Sequence, residues 1–223
     1  MTVQRPLFAD RTEAGRQLAK RVVASGVTDA IVYALPRGGV PVAMEVARVL
    51  DAPLDLVLVR KIGAPGQPEV AVAAVVDGGF PRMIINEAVQ RAIGVGSAYI
   101  IQEKALALAE IERRRRLYFG NRTHPDPAGK TVVLVDDGLA TGATARVAIQ
   151  QLRARGAGRV ILAVPVVPES ALETLRPEVD QLICLASPAE FHSVGAFYGD
   201  FHQLSDEEVL DQLADAAQFG GGG

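Results

Sequence analysis

The sequence predicts an α/β fold with a mostly parallel, doubly wound sheet and helices on both faces. Two features carry this expectation. Its apolar segments are continuous Val, Ile, Leu and Ala runs rather than alternating ones, as expected of strands buried on both faces. Between these runs lie stretches with helical spacing of apolar residues, the order produced by repeated strand–helix–strand units.

Asp10 is suited to cap a helix that runs through Ala14, Leu18, Ala19 and Val22 and ends near Gly26. Ala30 to Leu35 reads as the first strand, closed by Pro36 and Gly38-Gly39. A second helix is expected with Val42, Met44, Val46 and Val49 as its apolar positions. Leu54 to Val59, Val70 to Val76 and Thr131 to Val135 read as the next three strands. A turn containing Gly138 and Gly142 then opens a helix from about Thr144 to Arg155. Val160 to Val166, a short helix around Ser170 to Leu175, and Gln181 to Leu185 complete the alternation.

Two segments depart from it. Between Val76 and Thr131 the chain predicts a hairpin near Gly78-Gly79 and a long helix from Ser97 to Tyr118. Ile101, Leu108, Ile111 and Tyr118 are expected on one face of that helix. Gly120, Pro125, Pro127 and Gly129 mark the loop that closes the segment. Beyond Leu185 come most of the remaining aromatic residues: Phe191, Phe197, Tyr198 and Phe201. Gly220 to Gly223 are expected to be disordered.

Composition narrows the function classes. Hydrophobic residues make up 49% of the 223, enough for a substantial core, and the 22% charged content argues against a disordered chain. The net charge of −3 gives no reason to expect bulk nucleic-acid binding. Arg113 to Arg116 read as a solvated helix end paired with Glu110 and Glu112. No run is apolar enough to cross a bilayer, and Met1 to Arg11 lacks a signal-peptide pattern, so a cytoplasmic protein is expected. The single cysteine, Cys184, excludes an intramolecular disulfide and reads as a packing residue.

The chemistry concentrates in Val132 to Thr144. Four apolar residues form a strand, Asp136 and Asp137 sit where it ends, and a small-residue turn opens a helix. The carboxyl edge of a doubly wound sheet is where ligands bind. Turn amides and the helix N-terminus favour an anion. Ala140, Gly142 and Ala143 let a phosphate approach the backbone, while Thr141 and Thr144 supply hydroxyls. Carboxylates suit hydroxyls or a divalent cation. A ligand with a phosphate at one end and a diol nearby fits both halves.

These thirteen residues resemble the phosphoribosyl diphosphate (PRPP) signature of the type I phosphoribosyltransferases: an apolar strand, two acidic residues, then Thr-Gly-x-Thr. The resemblance implies the type I phosphoribosyltransferase fold, with a helical insertion and a C-terminal hood. It implies that Asp136 and Asp137 take the ribose hydroxyls and that Ala140, Thr141, Gly142, Ala143 and Thr144 take the 5-phosphate. Arg37, Gly38 and Gly39 stand where the family places its diphosphate loop, and Arg60-Lys61 resembles its mobile loop. The chain is also similar, over most of its length, to a less studied subgroup of predicted phosphoribosyltransferases. Its marks are Asp10-Arg11, Ala14-Gly15, Arg60-Lys61-Ile62-Gly63, Pro65, Pro68-Glu69, the arginine-rich helix and Val194 to Phe201. Ala73 departs from the glycine of that pattern, which bears on loop flexibility. Some relatives carry a fused α/β-hydrolase domain. No G-x-S-x-G motif occurs here, so the transferase module alone is expected. The expected organisation is one domain over 1–219, with 77–130 as insertion and 186–219 as hood.

The implied reaction moves the 5-phosphoribosyl group from PRPP to a nitrogen nucleophile and releases diphosphate, a pentosyl transfer of nucleotide metabolism. Mg²⁺, Arg37, Arg60 and Lys61 would stabilise the diphosphate, and Asp136 and Asp137 would orient the ribose and hold Mg²⁺ directly or indirectly. Phe197, Tyr198 and Phe201 either stack on a planar acceptor or pack the hood. His192 and Glu69 are the weak candidates for a general base. The acceptor is an unidentified small molecule, with a purine-like base the guess, and a homodimer is compatible with the family. A PRPP- or nucleotide-sensing regulator of the same fold is the alternative, and a hydrolase- or phosphorylase-like activity the third reading.

Overall fold

The first helix, α1 (Arg11–Ala24), starts where the sequence supplies a cap: the Asp10 carboxylate accepts a hydrogen bond from the Glu13 amide at 2.7 Å. The computed structural model describes residues 6–76, 82–120 and 124–216. After α1 come β1 (Ala30–Ala34), α2 (Gly39–Leu50), β2 (Leu54–Leu56), β3 (Val59–Ala64), β4 (Gln67–Val76) and β5 (Arg82–Ile85). Then follow α3 (Glu87–Ile93), α4 (Ser97–Phe119), β6 (Thr131–Val135), α5 (Ala143–Ala154) and β7 (Arg159–Val166). The chain ends with α6 (Glu169–Leu175), β8 (Gln181–Ala186) and α7 (Asp206–Ala216). These elements divide between two units, one formed by Met1–Leu56 with His124–Gly223, the other by Val57–Thr123.

In the first unit five strands form a parallel sheet in the order β2-β1-β6-β7-β8. Val132 to Val135 are fully buried at its centre, as are Val160 to Val164 beside them. The connection β1–α2–β2 runs toward one edge and β6–α5–β7 toward the other. Right-handed crossovers therefore put α2 and α5 on opposite faces, which is why these strands are apolar along their whole length. The order reverses between β1 and β6, and such a switch point leaves a crevice at the carboxyl ends of the strands. The expected doubly wound parallel sheet is present.

The second unit corrects part of the reading. Leu54 to Val59 is not one strand: Leu54–Leu56 joins the parallel sheet, whereas Val59 opens β3. Val70 to Val76 belongs to β4, in an antiparallel sheet of order β3-β4-β5. A short apolar run does not reveal its direction, but the Pro65-Gly66 pair does. Ala64 pairs with Gln67, and Gly66 has φ +73°, so proline followed by a left-handed glycine turns β3 back on itself. Ala73 is buried in β4 opposite Ile62 and Ile85, so the departure from glycine falls inside a strand. The hairpin expected near Gly78-Gly79 and the tail Gly220 to Gly223 lie outside the described residues.

Asn86 caps α3 through the Val89 amide (3.2 Å), and α4 packs on β3 and β4, its Tyr99 hydroxyl donating to the Gly63 carbonyl at 2.9 Å. Ile100, Ala107, Ile111 and Tyr118 are buried on α4, whereas Ile101 is 68% exposed. Ile111 and Tyr118 face inward as expected, while Ile100 and Ala107 stand in for Ile101 and Leu108, because Ile100 sits eleven positions before Ile111, about three full turns away. Arg113 and Arg114 each reach Glu110 at 2.8 Å and Arg116 reaches Glu112 at 3.1 Å, as expected of a solvated helix end. The hydrogen bond from Arg113 and then that from Arg114 bring the Glu110 carboxyl down to about 2. In α2, Val42, Met44 and Val46 are buried as expected, but Val49 is half exposed.

Where the chain leaves and re-enters the first unit, His124 Nδ1 lies 3.2 Å from both Asp55 carboxylate oxygens. Burial raises the Asp55 carboxyl; the Leu56 amide and His124 oppose it.

The α4 face is tested by urea unfolding. Ile111→Ala is expected to cost about 2–5 kcal/mol, the range for a buried large-to-small change. Ile101→Ala should stay within about 0.5 kcal/mol. Equal costs would return the inward face to the Ile101 register.

Candidate functional site

The backbone between β1 and α2 crosses the carboxyl end of β6. The Leu35 amide donates to the Val135 carbonyl at 2.9 Å, and the Gly39 amide returns to Leu35 at 3.0 Å. A Cβ on Gly38 would stand 2.0 Å from Asp137 Oδ2, and one on Gly39 would stand 2.8 Å from the Val135 carbonyl oxygen and 3.0 Å from Asp136 Cα. Only glycine permits that approach. The two segments singled out in the sequence, Arg37-Gly38-Gly39 and Asp136-Asp137, are therefore in contact at the switch point. The Pro36–Arg37 peptide is cis. Arg37 is partly buried, with Nη1 3.7 Å from an Asp206 oxygen at the start of α7.

After Asp137 the chain is anchored by the Leu139 amide on the Val166 carbonyl (3.0 Å) and turns into α5 at Gly142. Gly142 has φ +71°, and a Cβ there would meet Leu175 Cδ1 at 2.6 Å, so both conformation and space require glycine. Ala140 and Thr141 are exposed, and Ala143 and Thr144 are half-buried. Thr141 Oγ1 accepts from the Ala143 amide at 3.4 Å. The first-turn amides of α5 have no acceptor within the helix and carry the positive end of its dipole. Together with the two threonine hydroxyls they suit a phosphate.

The acidic pair is not symmetric. Asp136 is half-buried, and its Oδ1 accepts from the Asp137 amide at 2.9 Å. Asp137 is 9% exposed, and its Oδ2 accepts from Arg11 Nε at 2.8 Å. Arg11, 8% exposed, also donates from Nη1 to the His202 carbonyl at 2.9 Å and lies 3.8 Å over the Phe201 ring. Burial raises the Asp137 carboxyl, opposed by the hydrogen bond and charge of Arg11. The Tyr198 hydroxyl donates to the Asp137 carbonyl at 2.5 Å, and burial raises that phenol. The sequence did not link Arg11 to this site. Asp10-Arg11 stood out only as a family mark, and 126 positions separate Arg11 from Asp137.

Of the two roles expected for the tail rings, packing is the one seen for Phe197 and Tyr198. Phe197 and Tyr198 are 1% and 5% exposed and pack with Phe8, Ala14 and Val166. Phe201 carries the Arg11 guanidinium on its face. These rings serve the core because the tail pairs with the segment before α1: the Leu7 and Phe8 amides donate to Phe197, and the Gly199 amide donates back to Phe8. Arg60 and Lys61 belong to the second unit, exposed on β3 opposite Val75 and Ala74, so they are strand residues and not loop residues. His192 is exposed, and the Glu69 side chain lies outside the described residues. Among the described residues no three His, Cys, Asp or Glu side chains converge on a metal position.

The sequence also missed the tail helix α7 and its capping box. The Glu208 amide donates to Ser205 Oγ at 3.1 Å and the Ser205 amide to Glu208 Oε2 at 2.7 Å, a pattern readable in Ser205-Asp206-Glu207-Glu208. Between them His202 bridges Glu208 (Nε2, 2.9 Å) and Asp200 (Nδ1, 3.1 Å), and the two hydrogen bonds, Glu208's first, raise its pKa. With the folded value raised, this contribution to tail stability is complete below the ordinary value of 6.5 and is lost as pH rises through the folded value. In an NMR titration His202 is expected above 6.5, and Glu208→Gln should bring it down. An unmoved titration in that variant would show that Glu208 is not the cause.

Residues 9–192 match the family model described as the phosphoribosyl transferase domain. In two strains of Mycobacterium tuberculosis, proteins provisionally named phosphoribosyl transferases are 44% identical over 204 residues, which is 92% of this chain and 46% of each relative. The chain thus spans about half the length of these curated relatives. The crystal structure of TT1426 from Thermus thermophilus superposes with a TM-score of 0.79 at 40% identity, covering 93% of this chain and 98% of that one. With this match across most of its length, and with the signature loop at the switch point of the matching fold, the chain belongs to the phosphoribosyl transferase domain family.

Proposed function

We propose that the protein moves a 5-phosphoribosyl group from PRPP to a nitrogen nucleophile, a purine-like base being the first acceptor to try, and releases diphosphate. The contact of the Arg37-Gly38-Gly39 turn with Asp136-Asp137, next to the N-terminus of α5, carries this reading. It sets a cation and backbone amides, a carboxylate pair and a phosphate-type loop side by side. A phosphoribosyl diphosphate needs these three in that order.

In this reading Thr141, Thr144 and the first turn of α5 hold the 5-phosphate, the carboxylate pair faces the ribose, and Arg37 with the glycine amides receives the diphosphate. The anomeric carbon–oxygen bond breaks with its electron pair leaving on diphosphate, and the ribose gains positive charge that nearby carboxylates favour. The nucleophile then supplies the new bond through its lone pair, and the proton on its nitrogen leaves to water or to the departing diphosphate. Holding the partners in line accounts for most of the rate. Two neighbouring carboxylates, one half-buried, are too few for an all-protein cage but fit an Mg²⁺ ion completed by phosphate oxygens and water. Such an ion, held at Asp136 and Asp137, would neutralise charge on the diphosphate. Arg37 would leave Asp206 for the diphosphate, exchanging a 3.7 Å ion pair for closer charge-assisted hydrogen bonds.

The test is to incubate the full chain with Mg²⁺, PRPP and a nucleobase-containing extract and to follow products by mass spectrometry. A new phosphoribosylated species together with diphosphate is expected. PRPP left intact while still bound would favour a sensor, and PRPP lost only to ribose 5-phosphate and diphosphate would favour a hydrolase. Arg37→Ala is expected to lower kcat/KM by about 10–100-fold, the loss of one charge-assisted hydrogen bond. Unchanged kcat/KM in that variant would remove Arg37 from the diphosphate.

A further inference from the structure

We propose that Asp206 acts on Arg37 as a built-in competitor of the diphosphate: it holds the guanidinium until diphosphate takes it, and so sets how tightly diphosphate is bound and how readily it is released. The inference rests on the phosphoribosyl reading above and adds to it a control exerted from the tail. Arg37 Nη1 lies 3.7 Å from Asp206 Oδ1, at the first position of α7. The two side chains are 25% and 27% exposed, so solvent screens the pair only in part. Charge-assisted hydrogen bonds close to about 2.7–2.9 Å. At the longer separation the pair is held by Coulombic attraction, and an oxygen that comes closer to the guanidinium can replace the carboxylate.

The acid is not carried on a loose end. Ser205 and Glu208 cap each other across the first turn of α7, His202 ties Glu208 to Asp200, and the Asp200 amide donates to the Ala9 carbonyl at 2.7 Å. Val209, Leu213 and Ala216 are buried, and α7 packs on α2, the helix that the Arg37 turn opens. The turn bearing Arg37 and the helix bearing Asp206 are thus both fixed to α2. Asp206, Glu207 and Glu208 all stand in the first turn, where the helix dipole favours acids without help from an arginine. What sets Asp206 apart from the exposed Glu207 is its reach to Arg37. Diphosphate carries more negative charge than one carboxylate and can hydrogen-bond the guanidinium directly, so it displaces Asp206 on arrival. As it leaves, the carboxylate takes the guanidinium back.

A ³¹P NMR titration of the full chain reads this control, with Mg²⁺-PRPP and ribose 5-phosphate as probes that share phosphate and sugar and differ in the diphosphate. Asp206→Asn is expected to bind PRPP about 2–5-fold more tightly than the parent, the worth of one partly exposed ion pair, and ribose 5-phosphate equally. In an Arg37→Ala background the same substitution should change PRPP binding by less than about 1.5-fold, since its effect passes through Arg37. Glu207→Gln, which removes the same charge one residue away, should leave both probes unchanged. Unchanged or weaker PRPP binding in Asp206→Asn overturns the proposal. An equal gain with ribose 5-phosphate, in Glu207→Gln or without Arg37 overturns it too, because bulk charge would then be the cause. If circular dichroism shows Asp206→Asn to be unfolded, Asp206→Ser, also uncharged and suited to a helix start, decides by the same criterion. These failures leave the phosphoribosyl reading standing as long as Arg37→Ala weakens PRPP alone. A parent that binds PRPP no better than ribose 5-phosphate, with Arg37→Ala indifferent to both, removes the diphosphate from Arg37 and the proposal with it.

Discussion

Two consecutive positions without side chains, Gly38 and Gly39, let the chain leave β1 by passing directly over the end of β6, and much of the first unit follows from that crossing. The passage presses the turn onto the Asp137 carboxylate and the backbone of Asp136, so the acidic pair is confined by main chain as well as by the Arg11 guanidinium. It also sets where α2 begins, since Gly39 is the first residue of that helix. A side chain at Gly39 would press on the Val135 carbonyl at the end of β6, and one at Gly38 would displace the Asp137 carboxylate. The site and the sheet share one steric requirement.

The rest of the first unit closes around this point from both ends of the chain. Phe8 pairs with Tyr198, and their rings lie 5.3 Å apart beside the buried Phe197. Burying each such aromatic contributes about 1.5–3 kcal/mol, and the cluster they form also carries Arg11 and the Tyr198 hydroxyl to the acidic pair. A tail that could have served only to contact an acceptor is therefore part of the scaffold. Its buried rings, Phe197 and Tyr198, are spent on packing, and the turn into α5 is built of small residues and threonines instead.

How much of this was readable depends on the range of each interaction. The caps and turns that act within a few residues, such as Asp10 on α1 and the run from Val132 to Thr144, could be read directly because their physics is local. Strand direction was not readable from apolar content: Val70 to Val76 is as continuous as Thr131 to Val135, yet it pairs antiparallel on both sides. The Pro65-Gly66 turn holds that information, since it folds β3 back onto β4. On α4 the inward places of Ile111 and Tyr118 were readable, but with isoleucine at both 100 and 101 composition does not tell which of the two turns inward. Arg11 could not be connected to Asp137 by any pattern along the chain, since only the folded sheet brings the start of α1 to the end of β6. Packing of Phe197 and Tyr198 was one of the expected roles, but their partners Phe8 and Ala14 were not readable, lying at the opposite end of the sequence.

The meeting of Asp55 and His124 bears on how the segment between them is joined to the first unit. The residues on either side of Val57–Thr123 stand within hydrogen-bonding distance of each other. A segment whose two ends emerge from neighbouring points can be exchanged for a longer or shorter one without drawing the host strands apart. The parallel sheet with its acidic pair can then keep its strands in place whatever the length of the segment carried between Asp55 and His124.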